Sequence, residues 1–292
     1  MGHRPYADSV SFDFLKGHGT ENDFVIVPDP DGELLGRVVD PAVVTALCDR
    51  RTGIGGDGLI RVIRSSAVGD PLAQAAAAEG AEWFMDHWNR DGSSSEMCGN
   101  GARVFARYLD DSGLIDSSVP LLIGTRAGVR QVTYENEGTI TVDMGTPVLR
   151  GDTKVTVGER TWLAMHIDMG NPHAVVSIGE LGEAPIPLEP PGYDRDEYPD
   201  GVNVEFVTRL GPSRVAMRAF ERGSGETRSC GTGACAAVAA TAATDLVDTA
   251  RPGPTSYQVD VVGGTLSVTW RPDGPVDLTG PAEIVAVGTW LG

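Results

Sequence analysis

Two cysteines lie far apart in the chain in matching surroundings. Cys98-Gly99-Asn100-Gly101-Ala102 corresponds to Cys230-Gly231-Thr232-Gly233-Ala234, 132 residues later in a chain of 292. Nine residues before each cysteine a polar residue is followed by arginine, Asn89-Arg90 and Glu221-Arg222. Each pair ends a strand-like run containing a methionine, Met85 or Met217. Downstream, each motif leads into a helix, then a hairpin, then Val142-Asp143-Met144-Gly145 or Val276-Asp277-Leu278-Thr279-Gly280. A single glycine-rich helix start with a cysteine reads as a buried, inert thiol. Two, placed equivalently among three aligned landmarks, argue for two halves of like fold and for a shared chemical task.

That task follows from the residue types. Glycines after each cysteine let the main chain turn tightly and let a ligand approach it. The helix that follows aims its free N–H groups and positive dipole end at the sulfur. Such a position lowers a thiol's pKa and makes a carboxylate pocket. Two halves facing across a cleft bring their cysteines to one ligand from opposite sides. A thiolate on one face can remove a proton while a thiol on the other delivers one, which inverts a carbon centre reversibly. Without an electron sink, such a site must stabilise developing carboxylate charge and exclude water. The other two cysteines, Cys48 and Cys235, keep the bland reading of buried thiols.

The elements that must position these groups are short. Phe24–Val27, Leu59–Ile63 and Glu82–Trp88 read as strands. Gly128–Tyr134 and Thr139–Met144 flank a turn at Glu135-Asn136-Glu137-Gly138, and Tyr257–Val262 and Thr265–Trp270 flank Gly263-Gly264. Pro41–Arg50, Ala102–Leu109 and the alanine-rich Ala234–Leu246 read as helices. Ala67–Gly80 reads as an inserted loop, and the proline-rich Glu183–Gly201 as an irregular surface segment. Gly53-Ile54-Gly55-Gly56-Asp57-Gly58 matches a dinucleotide fingerprint, but a helix precedes it and a strand follows, the reverse of what that site needs.

Composition narrows the partners. The net charge of −18 repels nucleic acid and anionic lipid but not a zwitterion. No run is long enough for a membrane span, and Pro5 to Asp13 supply no apolar signal core, so a cytoplasmic location with reduced thiols is expected. No C-x-x-C pair or other ligand spacing points to a metal.

The motifs resemble those of the diaminopimelate epimerases along nearly the whole chain. Phe14-Leu15-Lys16-Gly17-His18-Gly19-Thr20-Glu21-Asn22-Asp23-Phe24 resembles the family's opening motif, and Met97 to Ala102 its first cysteine motif. Gly170-Asn171-Pro172-His173 and Gly201-Val202-Asn203 resemble two substrate-binding turns. Glu221-Arg222-Gly223 through Glu226-Thr227 to Cys230-Gly231-Thr232-Gly233 resembles the most specific signature. The resemblance implies an isomerase with no cofactor that interconverts LL- and meso-diaminopimelate, a step toward lysine and peptidoglycan. It makes Cys98 and Cys230 the acid–base pair. Gly99, Asn100, Gly231 and Thr232 present main-chain N–H groups to the reacting carboxylate. Asn22, Asn89, Asn171, Asn203 and Arg222 hold the substrate, chiefly its distal end. Glu221 and His173 flank the thiols and influence their protonation. Gly58 stands where some members have a glutamine that contacts substrate through its main chain, a contact glycine can also offer.

The fold expected is α+β, with two pseudo-symmetric halves, each a curved, mostly antiparallel sheet around a central helix, and the site in the cleft between them. Residues 1–143 form the first half, rejoined by the last strand within 281–292, and 144–280 form the second. A homodimer is left open. The alternatives are a cysteine-pair racemase of another amino acid such as proline, a cytosolic thiol redox protein and a non-catalytic amino-acid-binding module. Proline has no distal groups for the polar set Asn89, Asn171, Asn203 and Arg222, and a binding module leaves the paired cysteines unexplained.

Overall fold

The computed structural model describes residues 11–36, 38–135, 138–185, 189–248, 254–272 and 274–292. The first part of the chain forms β1 (Phe12–Gly19), β2 (Asn22–Pro28), α1 (Pro41–Cys48), β3 (Gly58–Arg64), α2 (Pro71–Ala78), β4 (Trp83–Asn89), α3 (Gly99–Asp111), β5 (Leu121–Thr125), β6 (Gly128–Tyr134) and β7 (Ile140–Asp143). The second forms β8 (Val148–Val157), β9 (Arg160–Asp168), β10 (Pro172–Ser177), β11 (Gly192–Tyr193), β12 (Asn203–Gly211), β13 (Arg214–Glu221), β14 (Gly225–Thr227), α4 (Gly231–Asp248), β15 (Thr255–Val261), β16 (Gly264–Trp270), β17 (Asp277–Gly280) and β18 (Glu283–Trp290). The fold is α+β. No helix among the described residues is long and apolar enough to cross a membrane.

Strand pairing repeats. From β1 the neighbours run β1–β2 antiparallel, β2–β3 parallel, β3–β4 antiparallel, β4–β5 parallel, then β5–β6 and β6–β7 antiparallel. From β9 the same series recurs: β9–β10 antiparallel, β10–β12 parallel, β12–β13 antiparallel, β13–β15 parallel, then β15–β16 and β16–β17 antiparallel. In each series the long helix lies in the second parallel crossover. The last strand, β18, returns to pair with β1, as the resemblance implies.

Each long helix is wrapped by its own strands. Helix α3 touches β18 and β1 at one end of its run and β7 at the other, and α4 touches both β9 and β17. A helix about 10 Å across can reach both ends of so many strands only if the sheet curls around it. That explains the alanines of α4: Ala234, Ala236, Ala237, Ala239, Ala240 and Ala242 are all buried, and larger side chains on every face would push the strands apart. One apolar core runs through both halves, from Phe24, Ile60 and Phe105 to Met217, Val238 and Leu278.

The halves join through β7 and β17, which pair antiparallel with Asp143 opposite Asp277. The rung Val142–Leu278 is matched on the other side of these aspartates by Met144, whose N–H donates to the Val276 carbonyl at 2.8 Å. The landmarks that the sequence aligned, Asp143 and Asp277, thus face each other across a local pseudo-twofold axis.

Ala67–Gly80 is not a loop. Asp70 caps α2, its carboxylate accepting the Leu72 N–H at 2.9 Å, and Pro71 fills the first turn. The alanine run then buries Ala73 and Ala76 beside Phe84. Asp-Pro before alanines is a helix start, which the reading of this stretch as an inserted loop overlooks. The Glu135–Gly138 turn includes Asn136 and Glu137, and Glu183–Gly201 includes residues 186–188, all outside the described residues, as are residues 5–10 of the segment checked for a signal core. The described part of Glu183–Gly201 holds one short 3-10 turn ending at Glu183 and the two-residue β11. The glycine-rich stretch before β3 has α1 behind it and a strand ahead, so it lacks the context of a dinucleotide site.

Candidate active site

Both cysteines cap helices. Cys98 is extended, its carbonyl accepts the Ala102 N–H at 2.8 Å, and its Sγ accepts the Gly101 N–H at 3.4 Å. At Cys230 the carbonyl accepts the Ala234 N–H at 3.0 Å and the Sγ the Gly233 N–H at 3.3 Å. The two helix starts abut over the β7–β17 seam. A Cβ on Gly231 would lie 3.2 Å from the Gly99 Cα, and one on Gly99 would lie 2.6 Å from Leu278 Cδ2. Only glycine permits this approach. Both cysteines line one cavity, with Asn22, Asn89, Asn171, Asn203, Glu221, Arg222, Gly99, Gly231 and Thr232 around it.

The asparagines are placed by turns and neighbours. Asn22 follows Thr20 and Glu21, both in the left-handed region with φ of 50° and 63°, a strained turn for residues other than glycine. The second half holds that turn down: Thr20 Oγ1 lies 2.6 Å from Ser229 Oγ, and a Cβ on Gly263 would strike the Thr20 carbonyl at 2.0 Å. Asn22 Nδ2 donates to Asp57 Oδ2 at 3.0 Å, and Asp57 in turn pairs with Arg50 at 2.7 Å. The Asn22 Oδ1 then faces the Cys98 thiol at 3.7 Å and the Asn100 amide at 3.2 Å. Asn203 Oδ1 accepts the Arg222 N–H at 2.9 Å, and the Arg222 guanidinium donates to the Asp200 carbonyl at 3.2 Å, with the arginine exposed at the cavity's edge.

Two residues expected in the site, His173 and Gly58, and the side chain of a third, Asn100, lie behind the cavity wall. His173 is fully buried; its Nδ1 is 2.7 Å from Glu205 Oε1 and its Nε2 3.0 Å from Asn171 Oδ1. Gly58 packs against Trp88 and His87, where a Cβ would meet the Trp88 carbonyl at 2.6 Å. The Asn100 side chain points to Asn22, Ser229 and Arg103.

The sequence reading missed other groups. Glu205 is fully buried, and its Oε2 has no hydrogen-bond partner. A Cβ on Gly233 would lie 2.5 Å from Glu205 Oε1 and 3.1 Å from Cys230 Sγ, so that carboxylate sits directly beside the second cysteine. His87 lines the cavity with its Nδ1 unpartnered, and burial holds it neutral with a pKa lowered to about 4. Strand alternation carried the signal: Glu205 is two residues from Asn203, and His87 two from Asn89, so each shares a face with an expected site residue. Met97, Met169 and Ala127 line the cavity as well.

The thiols differ electrostatically. Burial pushes the Cys98 thiol up to about 11; the Gly101 N–H pulls it down, the Glu221 charge adds to the rise, and the Arg103 charge opposes it. Burial raises Cys230 further, and Glu221 and Glu205 add to the rise. Burial also raises Glu221, against hydrogen bonds with Thr227 and Cys230. Burial likewise pushes Cys48 up to about 11 and Cys235 higher still. Among the described residues no cluster of three or more histidine, cysteine or acidic side chains could hold a metal.

The family profile described as diaminopimelate epimerase matches residues 14–150 and 165–285. The diaminopimelate epimerase of Streptomyces coelicolor is 56% identical over 97% of this chain and 98% of its own length. That of Thermobifida fusca is 47% identical over 94% and 96%. Among solved structures, a Bacillus anthracis phenazine biosynthesis protein of the PhzF family superposes with a TM-score of 0.71 at 16% identity, covering 97% of this chain and all of that one. A hydroxyproline epimerase from Agrobacterium vitis gives 0.67 at 16% identity, over 96% and 92%. At that identity the two structures speak for the fold.

Proposed function

This chain belongs to the diaminopimelate epimerase family, and from that premise we propose that it interconverts LL- and meso-diaminopimelate with Cys98 and Cys230 as the two proton carriers. Cys98 comes from the half formed by residues 1–143 with 281–292, and Cys230 from 144–280. One observation carries the reading: two cysteines cap helices related by a pseudo-twofold axis, and their abutting starts open on one cavity.

A substrate carboxylate laid across the two helix starts meets main-chain N–H groups from both, at Gly99 and Asn100 and at Gly231 and Thr232. Those donors point where negative charge grows as the α-proton leaves. One sulfur, as thiolate, takes the proton from one face while the other thiol donates to the opposite face. The atoms balance: one C–H bond breaks, one forms, and the two sulfurs exchange protonation states. Asn22, Asn89, Asn171, Asn203 and Arg222 hold the amino and distal carboxylate groups. Arg222 is suited to the latter because its planar fork pairs two ways with a carboxylate. Glu221 flanks Cys230 directly, whereas His173 acts from behind the wall through Asn171 and Glu205. Gly58 offers the substrate nothing without a shift of the wall.

The test is to incubate LL-diaminopimelate with the protein in D₂O. The expected result is α-deuterium together with the meso isomer. Unlabelled, unchanged substrate would refute the reading, and inversion of proline instead would favour a racemase of that type.

A further inference from the structure

Arg103 is an arginine with no acid paired to it among the described residues. It is fully buried, four residues after Gly99 on α3, and does not line the cavity. Its guanidinium donates to the carbonyls of Gly99 and Pro281, each at 3.3 Å, to Asn100 Oδ1 at 2.9 Å and weakly to Thr20 Oγ1 at 3.5 Å. Among the described residues no carboxylate pairs with it, whereas the other fully buried arginine, Arg61, is paired with Asp86 at 2.5 Å. A buried cation satisfied only by neutral acceptors is a standing cost to the fold, which a nearby anion would offset. In the second half the equivalent position, five residues after the cysteine, holds Cys235. The acids are distributed the other way. Glu205 stands on β12 where β3 has Ile60: Glu205 pairs with Ala219, and Ile60 with His87.

The surroundings of each sulfur can be enumerated. Cys98 is faced by Arg103 from α3, by Glu221 across the cleft, by His87 from β4, and through Asn22 by Asp57. Cys230 is faced by Glu221 and by Glu205, behind which lies His173. Cys98 receives the Gly101 N–H and Cys230 the Gly233 N–H, a similar contribution to each, while the Asn100 N–H acts further on Cys98 and the Thr232 hydroxyl on Cys230.

We propose that Arg103 is the fixed counter-charge of Cys98, and that with Glu205 beside Cys230 it polarises the pair, so that Cys98 gives up its proton before Cys230 does in the free enzyme. Arg103 is a positioning residue. It acts through charge and through Asn100, whose amide it orients toward Asn22 and Ser229. Burial raises both thiols, and the overall rise is smaller at Cys98, in the same sense.

The proposal rests on the reading of these thiols as proton carriers, and its test needs no substrate, so the two can fail separately. Substrate-free protein is alkylated with iodoacetamide across a pH series, and each cysteine is followed by peptide mapping. The pH midpoint is read rather than the rate, because Cys230 is the less accessible. In the unaltered protein Cys98 is expected to titrate about one pH unit or more below Cys230. Arg103→Met raises the Cys98 midpoint by about one unit and moves Cys230 little, and Arg103→Lys restores it. Glu205→Gln lowers the Cys230 midpoint. Should Arg103→Met fail to fold, the order in the unaltered protein and the Glu205→Gln shift decide. Equal midpoints, Cys230 titrating first, or an unmoved Cys98 in folded Arg103→Met would overturn the proposal.

Discussion

Replacing Gly233 by alanine would place a methyl group 2.5 Å from Glu205 Oε1 and 3.1 Å from Cys230 Sγ. Neither Gly101 nor Gly233 has a positive φ, so alanine is conformationally acceptable at both. In an ordinary helix the change is stabilising by roughly 0.5–1 kcal/mol. At Gly101 nothing opposes that gain: the new Cβ would meet Cys98 Cβ and Ile60 Cδ1 at 3.4 Å, normal contact. At Gly233 the carboxylate must retreat from 2.5 Å to about 3.4 Å, and the oxygen that must move is the one held by His173 Nδ1 at 2.7 Å. A shift of that size breaks the hydrogen bond, at about 1.5–3 kcal/mol for a charged partner. The net expectation for Gly233→Ala is a loss of about 1–2 kcal/mol, or a melting temperature lower by about 2–3 °C in a chain this long. Gly101→Ala should melt at or slightly above the unaltered protein. Differential scanning calorimetry of both variants decides. A Gly233→Ala protein that melts as high as Gly101→Ala would mean that Glu205 does not occupy the place beside Cys230.

Cys98→Ala and Cys230→Ala should each abolish epimerisation of diaminopimelate, while Cys48→Ala, which does not line the cavity, stays active; near-normal turnover in either of the first two would remove that cysteine from the proton path. Arg222→Lys should raise KM for diaminopimelate about tenfold or more, because lysine keeps the charge and loses the fork; an unchanged KM would take Arg222 out of the site. His87 is neutral in the fold, with its pKa lowered by burial from 6.5 to about 4. Its contribution to stability is therefore present above pH 6.5 and lost as pH falls toward 4, on the order of 3 kcal/mol. His87→Gln should flatten that part of the curve of unfolding free energy against pH, and an unchanged slope would show that His87 does not titrate there.

The paired cysteines and most of the cavity wall were legible because their motifs repeat and because asparagines at strand ends stand out from apolar neighbours. The returning β18 was legible only through family resemblance; the strand itself carries no mark of its partner. What lay hidden was the layer behind the wall. Glu205 sits in Val202-Asn203-Val204-Glu205-Phe206, where a lone acid in an apolar strand reads as a solvent-facing residue until its alternation with Asn203 is followed. Arg103 reads as an ordinary helix-surface cation. Only the curl of the sheet around α3 encloses it, and that curl arises from contacts between β18, β1 and β7, distant in sequence. The helix α2 is hidden for a local reason, since Asp-Pro serves turns and helix caps alike and only the alanines after it favour the cap.

In the vocabulary of oligomers, the β7–β17 seam is an isologous contact made inside one chain: each strand presents the same register to the other. Two separate copies of one half could in principle meet this way, with a cysteine from each reaching a common cleft. Such a pair would be bound by its own symmetry to treat both sides of a ligand alike. Covalent continuity removes that constraint. Arg103 can stand opposite Cys235, and Glu205 can take the place that Ile60 holds in the other half, because the two positions are separately encoded. An α-carbon lying on the axis therefore meets two unlike faces, which a symmetric dimer of half-chains cannot offer.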